Sequence, residues 1–378
     1  MRFAIIASDL GYLVRFRSNL LAHIQGLGHE VIALCPDGQA SDREALERLG
    51  VRMRPVSMAR SSISPVSDAA TRLALRRELG ATRPDMVLAY TMKPIVFGLP
   101  AAARRGVMRR SALITGLGRM FMGHGPAGVL RREAACTLYR RALRGADAVM
   151  FQNAEDAALF ASRKVLDPVT RVTVVRGSGV DLDEYPALPL PTLPHFLMTA
   201  RIMREKGILE FIQACRFVRR ERPHVRCTLA GYFDGSPDPE LAREVARAQH
   251  DGVIRFAGRV ADVRPLLREC SVFVLPSHRE GLSRAILEAM ASGRAVITTD
   301  APGCRDAVRT GPGGTGLTVP VGSGTALAEA MLAMVDRPSE VASMAVRARC
   351  LAEREFDVRS VNSAMAVALG LDVGRGMP

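Results

Sequence analysis

Two short segments of this 378-residue chain carry side chains whose types and spacing suit chemistry on an anion. In 200–207, ARIMREKG, Arg201 and Lys206 stand five residues apart across a turn that opens a helical pattern. Helix N-termini attract phosphate through free N–H groups and the dipole. Arginine adds planar bidentate contacts and lysine a mobile point charge. Only three lysines occur (Lys93, Lys164 and Lys206), which singles out Lys206 in an arginine-rich chain. Spacing alone also fits a solvated basic loop. In 276–290, PSHREGLSRAILEAM, Glu280 lies in a turn just before Gly281, and Glu288 follows eight residues later on a helix with an apolar side. Gly281 lets backbone come close to a ligand. A carboxylate on such a helix is costly unless solvated or bound. Two readings stay open. One has a dipole carboxylate at Glu280 and a surface carboxylate at Glu288. The other has Glu280 near a sugar, Glu288 accepting from ribose hydroxyls, and the amides of Gly281, Leu282 and Ser283 holding a diphosphate between them.

The elements that must position these residues follow from hydrophobic periodicity. Apolar runs at 2–8, 30–35, 51–56, 85–90, 111–115, 147–152 and 172–175 read as strands, with helical patterns at 15–26, 41–50, 67–80, 94–105, 128–144 and 155–164. Runs such as 4–6 and 31–34 are continuously apolar, as a parallel sheet covered on both faces requires. The alternation stops at 181–194, where prolines at 186, 189, 191 and 194 exclude a regular helix or central strand. It restarts with strands at 196–199, 225–230, 253–256, 271–275 and 295–298, and helices at 208–220, 240–249, 261–269 and 283–291, followed by further short elements. The expected fold class is α/β, with two Rossmann-like parallel-sheet domains facing a cleft. The expected domains are 1–185 and 186–355, with a tail over 356–378 that packs back on the first. Ligands of such sheets sit beyond the carboxyl ends of the strands, where both segments fall. The GPGGTG run at 311–316 matches GxGxxG, but a helical pattern precedes it and a strand follows. That order is the reverse of a dinucleotide site, so it reads as a loop.

Composition narrows the function. No run approaches the ~18 apolar residues of a membrane span. The apolar stretch at 3–7 lacks a basic flank and a cleavage site, so it reads as a strand and not a signal peptide. The seven cysteines are odd in number, widely spaced and without a CxxC, which reads as reduced thiols. The histidines lack metal-ligand spacing, and no metal site is expected. A net charge of +14, from 52 basic and 38 acidic residues, favours anionic partners. Nucleic acid is disfavoured among them, because the basic residues are scattered, aromatics are 5% and Trp is absent.

With these segments in order, the sequence resembles the retaining glycosyltransferases of family 4, which have the GT-B fold. The resemblance runs over most of 1–355 and is strongest in 196–320. REGLSRAILEAMASGRAVITTDAPGCRDAV (279–308) resembles the family's E-x7-E segment, with Glu280 and Glu288 as the acids. ARIMREKG resembles its diphosphate-binding segment, which implies that Arg201 and Lys206 neutralise the leaving group without a metal or other cofactor. FAGRVADVRPLL (256–267) resembles the stretch whose backbone, near Arg259 and Val260, meets the nucleobase, with Gly231 on the same nucleotide side. YTMKP (90–94) and ITGLGRMF (114–121) resemble a narrower subgroup that extends polyprenyl-diphosphate-linked sugars from UDP-N-acetylhexosamines. That implies an acceptor side with Gly11, Lys93, Thr115 and His124. The implied protein moves an N-acetylhexosamine or hexose from a UDP-sugar to a lipid-linked or other glycan acceptor. It would be cytoplasmic and peripheral at the inner face of the membrane, with Arg15, Arg17, Arg104, Arg105, Arg109 and Arg110 meeting anionic lipid. Two rivals are a nucleotide-sugar epimerase on the same architecture and a non-enzymatic anion or nucleic-acid binder.

Overall fold

The computed structural model describes residues 1–58, 64–123, 125–235 and 238–371. The chain divides into two units, one of Met1–Ser178 with the stretch from Arg359 onward, the other of Gly179–Val358.

The first unit alternates β1 (Arg2–Ile6), α1 (Leu10–Gly26), β2 (Glu30–Cys35), α2 (Ala40–Arg48), β3 (Arg52–Pro55), α3 (Pro65–Thr82), β4 (Met86–Tyr90), α4 (Leu99–Arg104), β5 (Arg109–Ile114), α5 (Gly125–Ala142), β6 (Ala148–Phe151), α6 (Ala154–Ser162) and β7 (Arg171–Val174). The strands form one parallel sheet in the order β3-β2-β1-β4-β5-β6-β7. Its centre is apolar on both faces because both are covered. Ala4, Ile6, Val87 and Ala89 pack with Leu75, Ile95 and Tyr139 on one side. Phe3, Ile5, Met86 and Leu88 pack with Leu13, Leu20 and Leu21 on the other. Asp9 caps α1 by accepting from the Tyr12 amide at 2.8 Å. The helix therefore starts five residues before the expected 15. The periodicity at 10–14 is hidden because the cap, Gly11 and the half-buried Tyr12 and Val14 interrupt it.

The second unit holds β8 (His195–Thr199), α7 (Ile208–Glu221), β9 (Arg226–Ala230), α8 (Pro239–His250), β10 (Arg255–Gly258), α9 (Arg264–Glu269), β11 (Val272–Leu275), α10 (Arg284–Ala291), β12 (Ala295–Thr299), β13 (Gly316–Val319), α11 (Gly324–Asp336) and α12 (Pro338–Glu355). Its parallel sheet runs β10-β9-β8-β11-β12-β13. The expected "short elements" beyond 298 include two long helices, α11 and α12, and a third, α13 (Val358–Leu369). Val361, Met365, Ala366 and Leu369 of α13 join the first unit's core beside Phe3 and Ile5.

The unit boundary falls at 178/179, not at the expected 185/186. The reason is backbone pairing: the Val180 amide donates to Phe356 O at 2.8 Å and the Val358 amide to Val180 O at 3.0 Å. The proline-rich stretch is fixed to the second unit. Arg294, fully buried, donates to Leu188 O at 2.8 Å and Pro189 O at 3.0 Å. Arg349 donates to Tyr185 O at 2.7 Å and Ala291 O at 2.6 Å. These donors satisfy carbonyls that prolines leave without a ladder. The 311–316 run is a turn leading into β13, tied to α12 by Arg347 donating to Gly314 O at 2.8 Å.

Candidate active site

In a doubly wound sheet the crevice opens where the strand order reverses, beyond the carboxyl ends. In the second unit that point lies between β8 and β11, which are neighbours although distant in sequence. Arg201 and Lys206 are in the turn after β8, and Glu280 is in the turn after β11. The fold thus brings the two segments to one place. Lys206 Nζ donates to Glu280 Oε1, with the two side chains 20% and 13% exposed. Arg201 donates to Asp234 at 2.8 Å, in the turn after β9. Glu288 accepts from Arg284 at 2.8 Å, one helical turn back on α10. Burial raises the Tyr185 phenol well above its usual range, and nearby Glu288 adds to the rise.

Glycines set these turns against one another. A Cβ at Gly207 would stand 2.1 Å from Pro276 O, and φ there is +75°. A Cβ at Gly231 would stand 1.9 Å from Ala200 O. A Cβ at Gly303, in the loop after β12, would stand 2.2 Å from Glu280 O. Backbone bonds complete the assembly: Glu280 amide to Pro302 O at 3.0 Å, His278 amide to Glu205 O at 2.9 Å, and Ile202 amide to Tyr232 O at 2.9 Å. Burial pushes the Cys304 thiol up to about 12, with Glu280 adding to the rise.

Two features of this crevice suit an anion. The side chains Arg201 and Lys206 are one. The other is α10, whose N-cap Ser283 makes no side-chain capping bond among the described residues. Arg284 at the first position of α10 opposes the helix dipole, and its pairing with Glu288 compensates. Among residues expected to face a nucleotide, Arg259 lies over the Tyr232 ring at 5.0 Å and Val260 packs against the core. Gly281 and Ser283 are buried, and the Leu282 side chain belongs to the core, so only its backbone is available to a ligand.

The first unit has its own switch point, between β1 and β4. Ser8 Oγ and Thr91 Oγ1 meet there at 3.1 Å, and Thr91 holds φ +75°, an outlier for a β-branched residue. Lys93 pairs with Asp68 of α3 at 2.9 Å, and a π-turn, Pro94–Gly98, follows. Thr115 is half-buried just after β5. Gly11, expected as a turn glycine, sits instead inside the first turn of α1 with no positive φ. His124 lies outside the described residues. Sequence reasoning passed over Gly207, Gly303, His278 and Glu210. A glycine directly after Lys206 was the one visible signal.

Among the described residues no group of three or more His, Cys, Asp or Glu could hold a metal ion, and no helix is long and apolar enough to cross a membrane. The set of arginines expected to meet lipid is corrected. Arg17 is buried, 2% exposed, under the Tyr90 ring. Arg109 and Arg110 donate to Gly370 O and Gly145 O at the amino end of β5. Arg15 belongs to the opposite, carboxyl edge of the sheet, so these residues do not make one surface.

Comparison with known proteins places both units. A model described as "Glycosyl transferase 4-like domain" matches residues 13–178, and one described as "Glycosyl transferases group 1" matches 193–337. The N,N'-diacetylbacillosaminyl-diphospho-undecaprenol alpha-1,3-N-acetylgalactosaminyltransferase of Campylobacter jejuni is 24% identical over 322 residues, 82% of this chain and 83% of that protein. The amylovoran biosynthesis glycosyltransferase AmsK of Erwinia amylovora is 26% identical over 50% of this chain and 48% of its own length. Among solved structures, Anabaena HepE in complex with UDP and glucose superposes with a TM-score of 0.79 at 18% identity, covering 98% of this chain and 99% of that one. Sucrose-phosphate synthase from Thermosynechococcus elongatus gives 0.79 at 18%, covering 97% and 98%.

Proposed function

The chain belongs to the 4-like, group 1 glycosyltransferases and has their GT-B fold, and from that premise we propose that it is a retaining enzyme using a UDP-N-acetylhexosamine and a polyprenyl-diphosphate-linked acceptor. The observation that carries the reading is the Lys206–Glu280 pair at the switch point of the second sheet. It puts a cation for a diphosphate and a carboxylate for sugar hydroxyls side by side. In the reaction the C1–O bond to the β-phosphate breaks, the phosphate keeps the electron pair, and the acceptor hydroxyl supplies the new C1–O bond. The acceptor proton leaves with the released phosphate or to solvent. Charge builds on the leaving group, so Arg201, Lys206 and the amides of Gly281, Leu282 and Ser283 stabilise it where it forms. Glu280 orients the sugar and Glu288 accepts from the ribose. Gly231, Arg259 and Val260 border the base. No metal is needed where fixed positive groups already neutralise the diphosphate.

On the acceptor side the reading assigns Lys93 and Thr115, near the first unit's switch point. The relative from Campylobacter, whose name includes an undecaprenol-linked sugar, supports a lipid-linked acceptor. Such an acceptor calls for peripheral attachment at the inner membrane face. The outer surfaces of α3 and α5 suit it better than the arginine set first considered. Both helices contact the π-turn Pro94–Gly98. Val66, Leu73 and Leu130 are 80%, 69% and 72% exposed, and Arg72, Arg77 and Arg131, within a helical turn of Leu73 or Leu130 in sequence, are exposed as well. Apolar insertion with basic rims is the pattern of interfacial binding. Sedimentation with anionic vesicles is expected to be lost in a Leu73→Ser, Leu130→Ser variant. Unchanged sedimentation would remove this face from the account.

The function itself is tested by offering UDP- and GDP-sugars with a polyprenyl-diphosphate-linked glycan and reading the product's anomeric configuration by NMR. Retained configuration with a UDP-N-acetylhexosamine is expected. Inversion, or epimerised sugar without acceptor, would overturn the reading.

A further inference from the structure

One ion pair of the second unit joins the turn that carries Glu280 to the helix that follows Lys206. His278, two residues before Glu280, meets Glu210 of α7 at 2.8 Å between Nε2 and Oε1. The side chains are 27% and 15% exposed. The same residue's amide donates to Glu205 O at 2.9 Å, next to Lys206. Contacts along this seam include Gly207 against Pro276, His278 amide to Glu205, His278 ring to Glu210, and Lys206 to Glu280. Only the last involves groups assigned to the donor. An arriving diphosphate competes for Lys206 and so loosens that contact at the moment the turns must hold their spacing. We propose that His278 and Glu210 are positioning residues, a clamp that keeps the turn of Lys206 and the turn of Glu280 in register when the donor binds. The inference rests on the reading of this crevice as the donor site.

The clamp has a pH signature. His278 faces Glu210 and Glu205, and Glu210 faces His278 and Arg204. The hydrogen bond to Glu210 raises the His278 pKa above its ordinary value, burial opposing it. Burial pushes Glu210 up, but the bond from His278 and the backbone outweigh it and hold the carboxyl below its ordinary value. The pair is therefore ionic between the lowered Glu210 pKa and the raised His278 pKa, and the charge on His278 is lost as pH rises through the latter. The salt bridge becomes a weaker bond between a neutral imidazole and a carboxylate, and donor affinity falls on the alkaline side.

The test is calorimetric titration with UDP-N-acetylgalactosamine, whose diphosphate has no proton to lose in this range. Wild-type affinity is expected to fall about tenfold between about pH 6 and about pH 8, below the range in which the uracil ring loses its own proton. Glu210→Gln should move that fall to lower pH, because His278 loses its partner. His278→Gln should give a flat profile at the weaker level. Lys206→Ala should weaken binding at every pH while keeping the fall. A flat wild-type profile, or a fall that persists in His278→Gln, overturns the clamp and leaves the donor site standing. If Lys206→Ala has no effect, or the wild type binds neither this donor nor UDP, the donor-site reading fails and the clamp with it.

Discussion

The two switch points of this molecule are built alike and finished differently. In the second unit the turns after β8, β9, β11 and β12 are locked backbone to backbone, with glycines at 207, 231 and 303 where a Cβ would strike a carbonyl oxygen. In the first unit the corresponding crevice holds a strained Thr91, one Ser8–Thr91 hydroxyl contact and the Lys93–Asp68 pair. Gly98 there would place a Cβ 2.6 Å from Ile6 Cδ1, the end of a flexible side chain. A leaving group of fixed shape and charge rewards a preorganised site. On the proposed function, the difference puts the reaction's electrostatics in the second unit.

Substitutions can break that contrast. The largest effect is expected from Lys206→Ala and Arg201→Ala, each lowering turnover by well over ~10²-fold while the protein stays folded. Steady-state kinetics with a thermal melt checks both, and near wild-type turnover in either would remove it from the site. The carboxylates should then separate. Glu288→Ala should weaken UDP binding about tenfold or more, as a charged hydrogen-bond acceptor is lost. Glu280→Ala should depress transfer yet leave UDP affinity intact or higher, since Lys206 is released from its ion pair. Fluorescence-detected UDP titration beside transfer rates reads the two roles.

Glycine substitutions sharpen the comparison further. Gly207→Ala combines positive φ with a carbonyl at 2.1 Å and should destabilise the second unit by about 3 kcal/mol. Gly98→Ala displaces only a methyl end and should cost about 1 kcal/mol. Hydrogen exchange distinguishes the two sheets in one experiment. The smallest effect is expected from Thr91→Gly. Relieving the left-handed backbone should stabilise the first unit by about 1 kcal/mol. Equal or lower stability would mean that the hydroxyl contact with Ser8 outweighs the backbone cost.

Much of this arrangement is legible in the sequence, for a physical reason. Buried parallel strands read as continuous apolar runs, so 30–35 matches β2 residue for residue. Arg201, Lys206, Glu280 and Glu288 lie within two short segments, and turn chemistry keeps each group together. What escapes is set by contacts far apart in the chain. Nothing local ties Val180 to Phe356, so the unit boundary shifts by seven residues. Nothing local shows that Arg17 turns inward under Tyr90 while Arg15 does not. His278 and Glu210 are 68 residues apart, and only the adjacency of β8 and β11 brings them together. Helices α11 and α12 hide among the expected short elements because their apolar residues, mostly alanine and methionine, blur the helical stripe.

The crevice between β8 and β11 is proposed to bind the nucleoside diphosphate through protein cations alone. Calorimetric titration of UDP in excess EDTA, on the wild type and on Lys206→Ala, tests it most directly. Saturable one-to-one binding by the wild type that EDTA does not change is expected, with at least a tenfold loss in the variant, the scale of one charged hydrogen bond. Binding that disappears with EDTA and returns with Mn²⁺ or Mg²⁺, or that Lys206→Ala leaves untouched, would contradict it.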